Sequence, residues 1–204
     1  MTKFFIEIGT ADFDTLLPLA KKGWKGIFVE PVKYLLDNLE RIDGCEYENA
    51  AISNFNGETT INYDPEPKEE WQKGIGYITR RKDNYIPFRY EPSKPSCHFW
   101  THDFENIIKE PVQCMTLDAL IDKHNVKHID FLKIDIEGME YVVLDAYSWR
   151  IKPELIKMET NWVYDDNDGI IRNEGLIPYW EDKLKRLGYH VYQEENDWYC
   201  ILAE

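Results

Sequence analysis

The segment spanning residues 130–140 constrains the fold of this chain more than any other stretch. It begins as a strand, since the apolar residues within 129–136 are mostly β-branched or aromatic, and it breaks directly after Glu137. A helical pattern follows, with apolar residues recurring at spacings of three and four. In open α/β sheets, ligands bind beyond the carboxyl ends of strands, so we expect Asp135 and Glu137 to line a site. Alternatively, Asp135 only caps the helix and Glu137 only complements its dipole.

The rest of the chain repeats this alternation of strands and helices. Apolar runs at residues 4–8, 25–30 and 45–53 predict three strands, and the amphipathic stretches between them predict two helices. A further strand is predicted at 58–63, and the second half of the chain reads helix, strand, helix, strand, helix and a terminal hairpin. This order predicts one α/β domain over residues 1–204.

The charge balance excludes some classes of partner. The 204 residues carry a formal net charge of −14, which argues against a nucleic acid partner and against an anionic membrane surface. It favours a neutral or cationic ligand. The four cysteines show no C-x-x-C spacing, the first residues have no signal-peptide layout, and no apolar run approaches membrane length. We therefore expect a cytoplasmic protein, whose oligomeric state the sequence leaves open.

An acidic residue follows the first glycine turn at the distance typical of nucleotide-binding folds. Glu30 ends the second strand about 20 residues after Gly9, where an acid commonly accepts hydrogen bonds from a ribose diol. The turn at residues 9–13 contains one glycine, whereas the dinucleotide fingerprint has three. This difference argues against a site that cradles a pyrophosphate and favours a ligand without phosphates.

Residues 65–111 interrupt the α/β rhythm with many prolines and aromatic residues. A connection of this length is usually functional, and its aromatic side chains beside His98 and His102 suit a sugar or another flat ligand. We expect this insertion to cover the acceptor side of the pocket. The alternative is a folded cover whose aromatic residues only pack against one another.

The sequence predicts no metal site. The acidic run at residues 165–169 resembles a calcium loop, but Tyr164 and Gly175 occupy positions where carboxylate ligands are needed. The remaining acids stand at the ends of different strands, and no His, Cys and Asp cluster has ligand spacing. The alternative is that Asp135, Glu159 and a further partner converge on Mg²⁺.

Six motifs in order give the chain a family resemblance from residue 4 to about residue 190. The most specific is the Leu-Lys-Ile-Asp-Ile-Glu-Gly-Met-Glu segment, and the others are Ile6–Gly9, Phe28–Pro31, Asn49–Ser53 with Gly57, Thr116–Asp118 and Gly188-Tyr189. Together they resemble the FkbM family of S-adenosylmethionine-dependent methyltransferases. The resemblance implies a Rossmann-like class I methyltransferase fold, with a mostly parallel seven-stranded sheet, a C-terminal antiparallel hairpin and helices on both faces.

The resemblance also implies an activity: methylation of a hydroxyl on a sugar, glycan or glycosylated small molecule, which leaves S-adenosylhomocysteine as product. The chain departs from the family pattern where Glu7 replaces an Asp, Ala11 an Asn and Phe13 a Gly, and where Thr160 and Asn161 follow Glu159. The proton acceptor stays open among four residues: Asp135, Glu159, His98 and His102. The expected cofactor-binding residues are Glu7, Gly9, Thr10, Ala11, Asp12, Phe13, Glu30, Pro31, Ala51, Ile52, Ser53, Asp135 and Glu137.

Two other functions fit the same α/β pattern. One is an NAD-dependent oxidoreductase, which the missing glycines disfavour. The other is a catalytically inactive glycan-binding module. Three measurements separate these functions from the methyltransferase: binding of S-adenosylhomocysteine, binding of NAD, and methyl-transfer turnover.

Overall fold

The computed structural model describes residues 2–11, 15–67, 74–78, 106–160, 163–165, 169–171 and 176–203. Within these ranges no helix is long and apolar enough to cross a bilayer. The described helices are α1 (Leu17–Lys21), α2 (Lys33–Asn38), α3 (Leu117–Lys123), α4 (Glu140–Ala146) and α5 (Leu176–Arg186). The described strands are β1 (Phe4–Ile8), β2 (Lys25–Val29), β3 (Cys45–Glu48), β4 (Ala51–Ile52), β5 (Gly57–Tyr63), β6 (Gly76–Ile78), β7 (Ile108–Met115), β8 (Phe131–Ile134), β9 (Leu155–Glu159), β10 (Val163–Asp165), β11 (Gly169–Ile171), β12 (Tyr189–Glu194) and β13 (Asp197–Leu202).

A large, mostly parallel sheet forms the centre of the described structure. Its seven strands lie in the order β12-β13-β9-β8-β1-β2-β3. Strands β3, β2, β1, β8 and β9 run parallel, and β13 pairs antiparallel with both β9 and β12. The predicted α/β fold with a mostly parallel large sheet is therefore confirmed, and the terminal hairpin β12–β13 joins that sheet as its outer strands.

The two faces of the large sheet bury different sets of side chains. On one face, Ile6 aligns with Ile27 on β2 and Leu132 on β8, and this row packs with residues of α3, α4 and α5. On the other face, Phe5 and Phe28 pack against α1. Strands with both faces covered read as near-continuous apolar runs, which explains why β1 and β2 were predictable from the sequence.

A second, four-stranded sheet was not predicted. Its order is β4-β7-β5-β6, so the stretch 45–53, predicted as one strand, is divided between two sheets. The break falls at Asn49, whose side-chain amide donates hydrogen bonds to the carbonyls of Glu30 (2.9 Å) and Pro31 (3.0 Å). These bonds occupy two backbone carbonyls just after β2, and they direct β4 away from β3.

The insertion grows out of the second sheet. Strands β5 and β7 pair antiparallel from Gly57 opposite Cys114 to Tyr63 opposite Ile108, and β6 adds to β5 as a third strand. The stretch predicted at 65–111 is therefore supported at both ends by a long β-ladder. Residues 68–73 and 79–105 lie outside the described part of the chain.

Gly9 brings three strand ends together. Its N–H donates to the carbonyl of Val29 at the end of β2, and the N–H of Asp135 donates to Ile8 at the end of β1, both at 3.0 Å. Gly9 has a φ of +79°, and a Cβ at this position would lie 1.7 Å from the carbonyl oxygen of Asp135. Only glycine allows this approach.

We expect Gly9→Ala to destabilise the protein more than Gly23→Ala. Gly23 also has a positive φ, of +91°, but a Cβ there meets nothing within 4 Å. The control should lose about 1–2 kcal/mol from the left-handed backbone alone. Gly9→Ala should lose a further 1–3 kcal/mol or so, because the new methyl group must displace backbone. Equal losses in chemical denaturation would show that the close approach carries no energetic weight.

Candidate functional site

A pocket opens at the carboxyl ends of β1, β2 and β8, where the strand order reverses on either side of β1. Such a switch point is the usual ligand site of open α/β sheets. The pocket encloses about 460 Å³, including space open to solvent. Its described lining residues are Gly9, Ala11, Glu30, Pro31, Gly74, Gly76, Asp135, Ile136 and Glu137. Six of the residues predicted from the sequence thus lie together here.

Glu30 places a buried carboxylate in the wall of this pocket. One oxygen accepts the N–H of Ala11 (3.1 Å) and the other accepts the N–H of Val32 (2.9 Å). Burial raises the pKa of Glu30 to about 7, although these backbone hydrogen bonds oppose the shift. The carboxylate is therefore fixed in place and changes charge near neutral pH.

Glu7 is buried among structural hydrogen bonds and does not line the pocket. It is fully buried, and its carboxylate accepts hydrogen bonds from the Leu16 N–H (2.9 Å), the Thr15 hydroxyl (3.0 Å) and the ammonium of Lys133 (3.3 Å). Burial raises its pKa to about 7. Glu7, and likewise the buried Thr10, are not among the described residues that line the pocket. Both are expected cofactor contacts that the structure places behind the site.

A second, mostly apolar pocket continues from the first. It encloses about 360 Å³ and shares Pro31, Gly76 and Ile136 with its neighbour. Its other described lining residues are Ile8, Ala50, Ala51, Ile52, Ile61, Ile78 and Met139. The predicted residues Ala51 and Ile52 therefore contribute to this wall, whereas Ser53 is buried beside it and donates its N–H to Met115 (3.0 Å).

Strained backbone conformations occur at the pocket wall. Ala11 has a φ of +40° and Glu137 a φ of +56°, a region that residues other than glycine, Asn and Asp seldom adopt. Ala11 is held by its hydrogen bond to Glu30, and Glu137 is followed by Gly138, also at positive φ. Such strain is commonly found at binding sites, where the surrounding structure maintains it.

Three carboxylates converge beside the pocket. Asp135, Glu140 and Glu159 each place an oxygen within 4.8 Å of the others. Glu140 is buried and accepts the N–H of Ile136 at 2.8 Å. Burial, with the nearby charges of Glu159 and Asp135, raises the pKa of Glu140 well above its usual value. Protonation of Glu140 relieves the repulsion among the three groups.

Sequence reasoning did not identify Glu140. The available signal was an acid on the apolar face of a helix, because Glu140 precedes the buried Val143 and Leu144 by three and four residues. The alternative interpretation of Asp135 as the helix cap is not observed, since α4 has Met139 at its N-cap and no side-chain cap hydrogen bond. Four other expected site residues, Asp12, Phe13, His98 and His102, lie outside the described residues.

Comparison with known families decides the class of this protein. The chain matches the model of the methyltransferase FkbM domain over residues 7–191. It belongs to the FkbM methyltransferase family. No curated protein and no solved structure gives a significant match. The match covers both pockets and the three converging carboxylates of this FkbM methyltransferase.

The sequence argument against a metal site was that the acids stand at the ends of different strands. The structure removes that argument, because Asp135 and Glu159 meet a third acid, Glu140. Three oxygens at this spacing could also bridge a divalent cation. Two nearby features reduce the need for such a cation. The ammonium of Lys133 lies 3.7 Å from Asp135, and the raised pKa of Glu140 favours its neutral form.

We therefore expect this FkbM methyltransferase to melt at the same temperature in EDTA and in Mg²⁺ or Mn²⁺. A specific site at 100 times its dissociation constant would add about 2.7 kcal/mol, or roughly 5–10 °C for a chain of this size. A rise of that size that Glu140→Gln abolishes would contradict the prediction and make the three acids cation ligands.

Proposed function

We propose that this FkbM methyltransferase transfers a methyl group from S-adenosylmethionine to a hydroxyl of a sugar, glycan or glycosylated small molecule. The observation that carries the proposal is the buried carboxylate of Glu30 in a pocket at the switch point, next to an apolar pocket. The family supports methyl transfer, and the acceptor class comes from the family resemblance.

The residues present fit the cofactor. A ribose diol could donate hydrogen bonds to Glu30, and the apolar walls of Ala51 and Ile52 suit an adenine ring. Asp135 and Glu137 add negative charge at the pocket, which favours a cationic ligand. When bound, the cofactor supplies a methyl group already activated by its sulfonium.

The protein's contribution to such a transfer is positioning and proton removal. Asp135 and Glu159 stand at or just beyond the ends of adjacent strands, β8 and β9, so their carboxylates are held on rigid elements. Glu140 lies beside both and favours the protonated form, which leaves Asp135 and Glu159 as the preferred proton acceptors. We propose that neither needs a metal ion for this role.

Part of the insertion lines the two pockets, so its proposed role is wider than covering the acceptor. Gly74 and Gly76 line the first pocket, and Gly76 and Ile78 line the apolar one. Trimming all of residues 65–111 would therefore damage the proposed cofactor site as well. We restrict the proposed acceptor cover to the part of the insertion outside residues 74–78.

We expect Glu30→Gln to raise the dissociation constant of S-adenosylhomocysteine by roughly one to three orders of magnitude. The amide retains one acceptor oxygen for the backbone but loses charge-assisted bonds worth about 1.5–3 kcal/mol each. Because the pKa of Glu30 is about 7, the carboxylate loses its charge as the pH falls through neutrality. Wild-type affinity should therefore weaken below pH 7, by up to about tenfold per pH unit.

The control is Glu7→Gln. Glu7 also has a pKa of about 7 but stands behind the pocket, so this variant should keep the pH dependence that Glu30→Gln removes. Calorimetry between pH 6 and 8 measures all three proteins. Affinity independent of both Glu30 and pH would exclude this carboxylate from the cofactor site.

Binding of NAD in place of S-adenosylhomocysteine would indicate an oxidoreductase, and cofactor binding with no transfer to any glycan acceptor tried would indicate an inactive binding module.

We expect Asp135→Asn or Glu159→Gln to lower turnover by about two orders of magnitude or more, with a far smaller change in cofactor affinity. A positioned proton acceptor is worth about 10²–10⁴-fold, and both substitutions nearly preserve shape. Labelled S-adenosylmethionine with a panel of glycan acceptors provides the assay. If both variants keep near-normal turnover while His98→Ala or His102→Ala loses it, the insertion supplies the base.

A further inference from the structure

Lys133 is an unusual residue for its position. It lies on β8 in the middle of the large parallel sheet, where residues with both faces covered are normally apolar, yet its side chain is only 2% exposed. Its register partner on β1 is Glu7, whose side chain is 0% exposed. Burying two ionisable groups costs several kcal/mol each before their attraction is counted.

The ammonium of Lys133 connects two carboxylates. Its Nζ lies 3.3 Å from Oε1 of Glu7 and 3.7 Å from Oδ2 of Asp135. The other oxygen of Glu7 accepts hydrogen bonds from Thr15 and from the N–H of Leu16, just before α1. The chain of contacts therefore runs from the start of α1, through Glu7 and Lys133, to a residue that lines the pocket.

Stability alone is a poor explanation for this arrangement. Replacing a buried ion pair by apolar residues of similar size is often neutral or stabilising. An apolar pair at positions 7 and 133 would also match the surrounding core of Phe5 and Phe28. What an apolar pair could not supply is a positive charge beneath Asp135.

Asp135 needs a nearby positive charge because two other acids, Glu140 and Glu159, lie close to it. Oxygens of Glu140 and Glu159 lie within 4.8 Å of an oxygen of Asp135. Glu140 favours its neutral form, so the repulsion comes from the carboxylate of Glu159. Without a nearby cation, this repulsion would turn the partly exposed Asp135 towards solvent. The ammonium of Lys133 attracts the carboxylate back against the pocket floor.

We propose that Lys133 is a positioning residue that holds the Asp135 carboxylate at the pocket floor in the orientation that methyl transfer requires. The role in transfer rests on the proposed function, whereas the orientation of Asp135 does not. Lys133 itself is not among the described residues that line the pocket, so its effect passes through Asp135.

The decisive variant is the double substitution Glu7→Gln with Lys133→Met. Lys133→Met alone leaves Glu7 buried without its cation, which would destabilise the protein for a structural reason. In the Glu7→Gln background the amide oxygen still accepts the N–H of Leu16, and no uncompensated charge remains. The double variant is compared with Glu7→Gln alone, so that only the ammonium differs.

A second lysine provides a control for the loss of an ion pair. Lys183 on α5 pairs with Asp145 at 2.8 Å, and the two side chains are 25% and 29% exposed. Lys183→Met therefore removes a partly buried pair away from the residues that line the pocket. It should lower the melting temperature modestly and leave turnover unchanged.

We expect the double variant to turn over at least about tenfold more slowly than Glu7→Gln, with a dissociation constant for S-adenosylhomocysteine within about threefold. Its melting temperature should be no lower than that of Glu7→Gln, because Glu7→Gln alone leaves the Lys133 ammonium buried without its carboxylate partner. A crystal structure should show the Asp135 carboxylate turned away from its present position. Turnover equal to that of Glu7→Gln, or an Asp135 carboxylate that keeps its orientation, overturns the proposal. If the wild type binds no S-adenosylhomocysteine, the proposed function fails, and the crystal structure still decides whether Lys133 orients Asp135.

Discussion

The close contact between the Gly9 backbone and the carbonyl of Asp135 is the constraint on which the candidate site depends. A side chain at position 9 would overlap that carbonyl, so β1 and β8 can meet at their carboxyl ends only through glycine. The N–H of Gly9 also joins the end of β2. The positions of Glu30 and Asp135 relative to each other are therefore set by backbone hydrogen bonds between strands. Such a scaffold fixes the site before any ligand is bound.

Around this contact, environment gives chemically similar carboxylates different roles. Glu7 and Glu30 both have a pKa raised to about 7 by burial, yet Glu7 anchors the chain before α1 while Glu30 stands in the pocket wall. Glu140 is buried against Ile136 and favours its neutral form, so it is a neighbour that carries a proton rather than a fixed negative charge. The formal net charge of −14 counts every acid as ionised, whereas several acids near the site are partly or wholly protonated at neutral pH.

Sequence reasoning succeeded where one local rule decided the outcome. The apolar strands β1, β2 and β8 follow from residue patterns within a few positions. The structure places Gly9, Glu30 and Asp135 in the pocket wall, and a local rule was enough to select them as candidates because each directly follows the last residue of a strand. Glu7 was assigned to the pocket because alternation along β1 does not reveal which face meets the ligand. Glu140 was missed because its partners, Asp135 and Glu159, are brought together only when β8 and β9 pair.

The second sheet explains why the insertion cannot be separated from the site. The chain leaves the large sheet at Asn49, and β4 pairs with β7, so the end of the insertion returns beside the strand that carries Ala51 and Ile52. The start of the insertion follows β5, which pairs with the other side of β7. Strand β6 then places Gly76 in the wall shared by the two pockets. A change in the insertion that moved β6 would therefore alter both pockets at the same time.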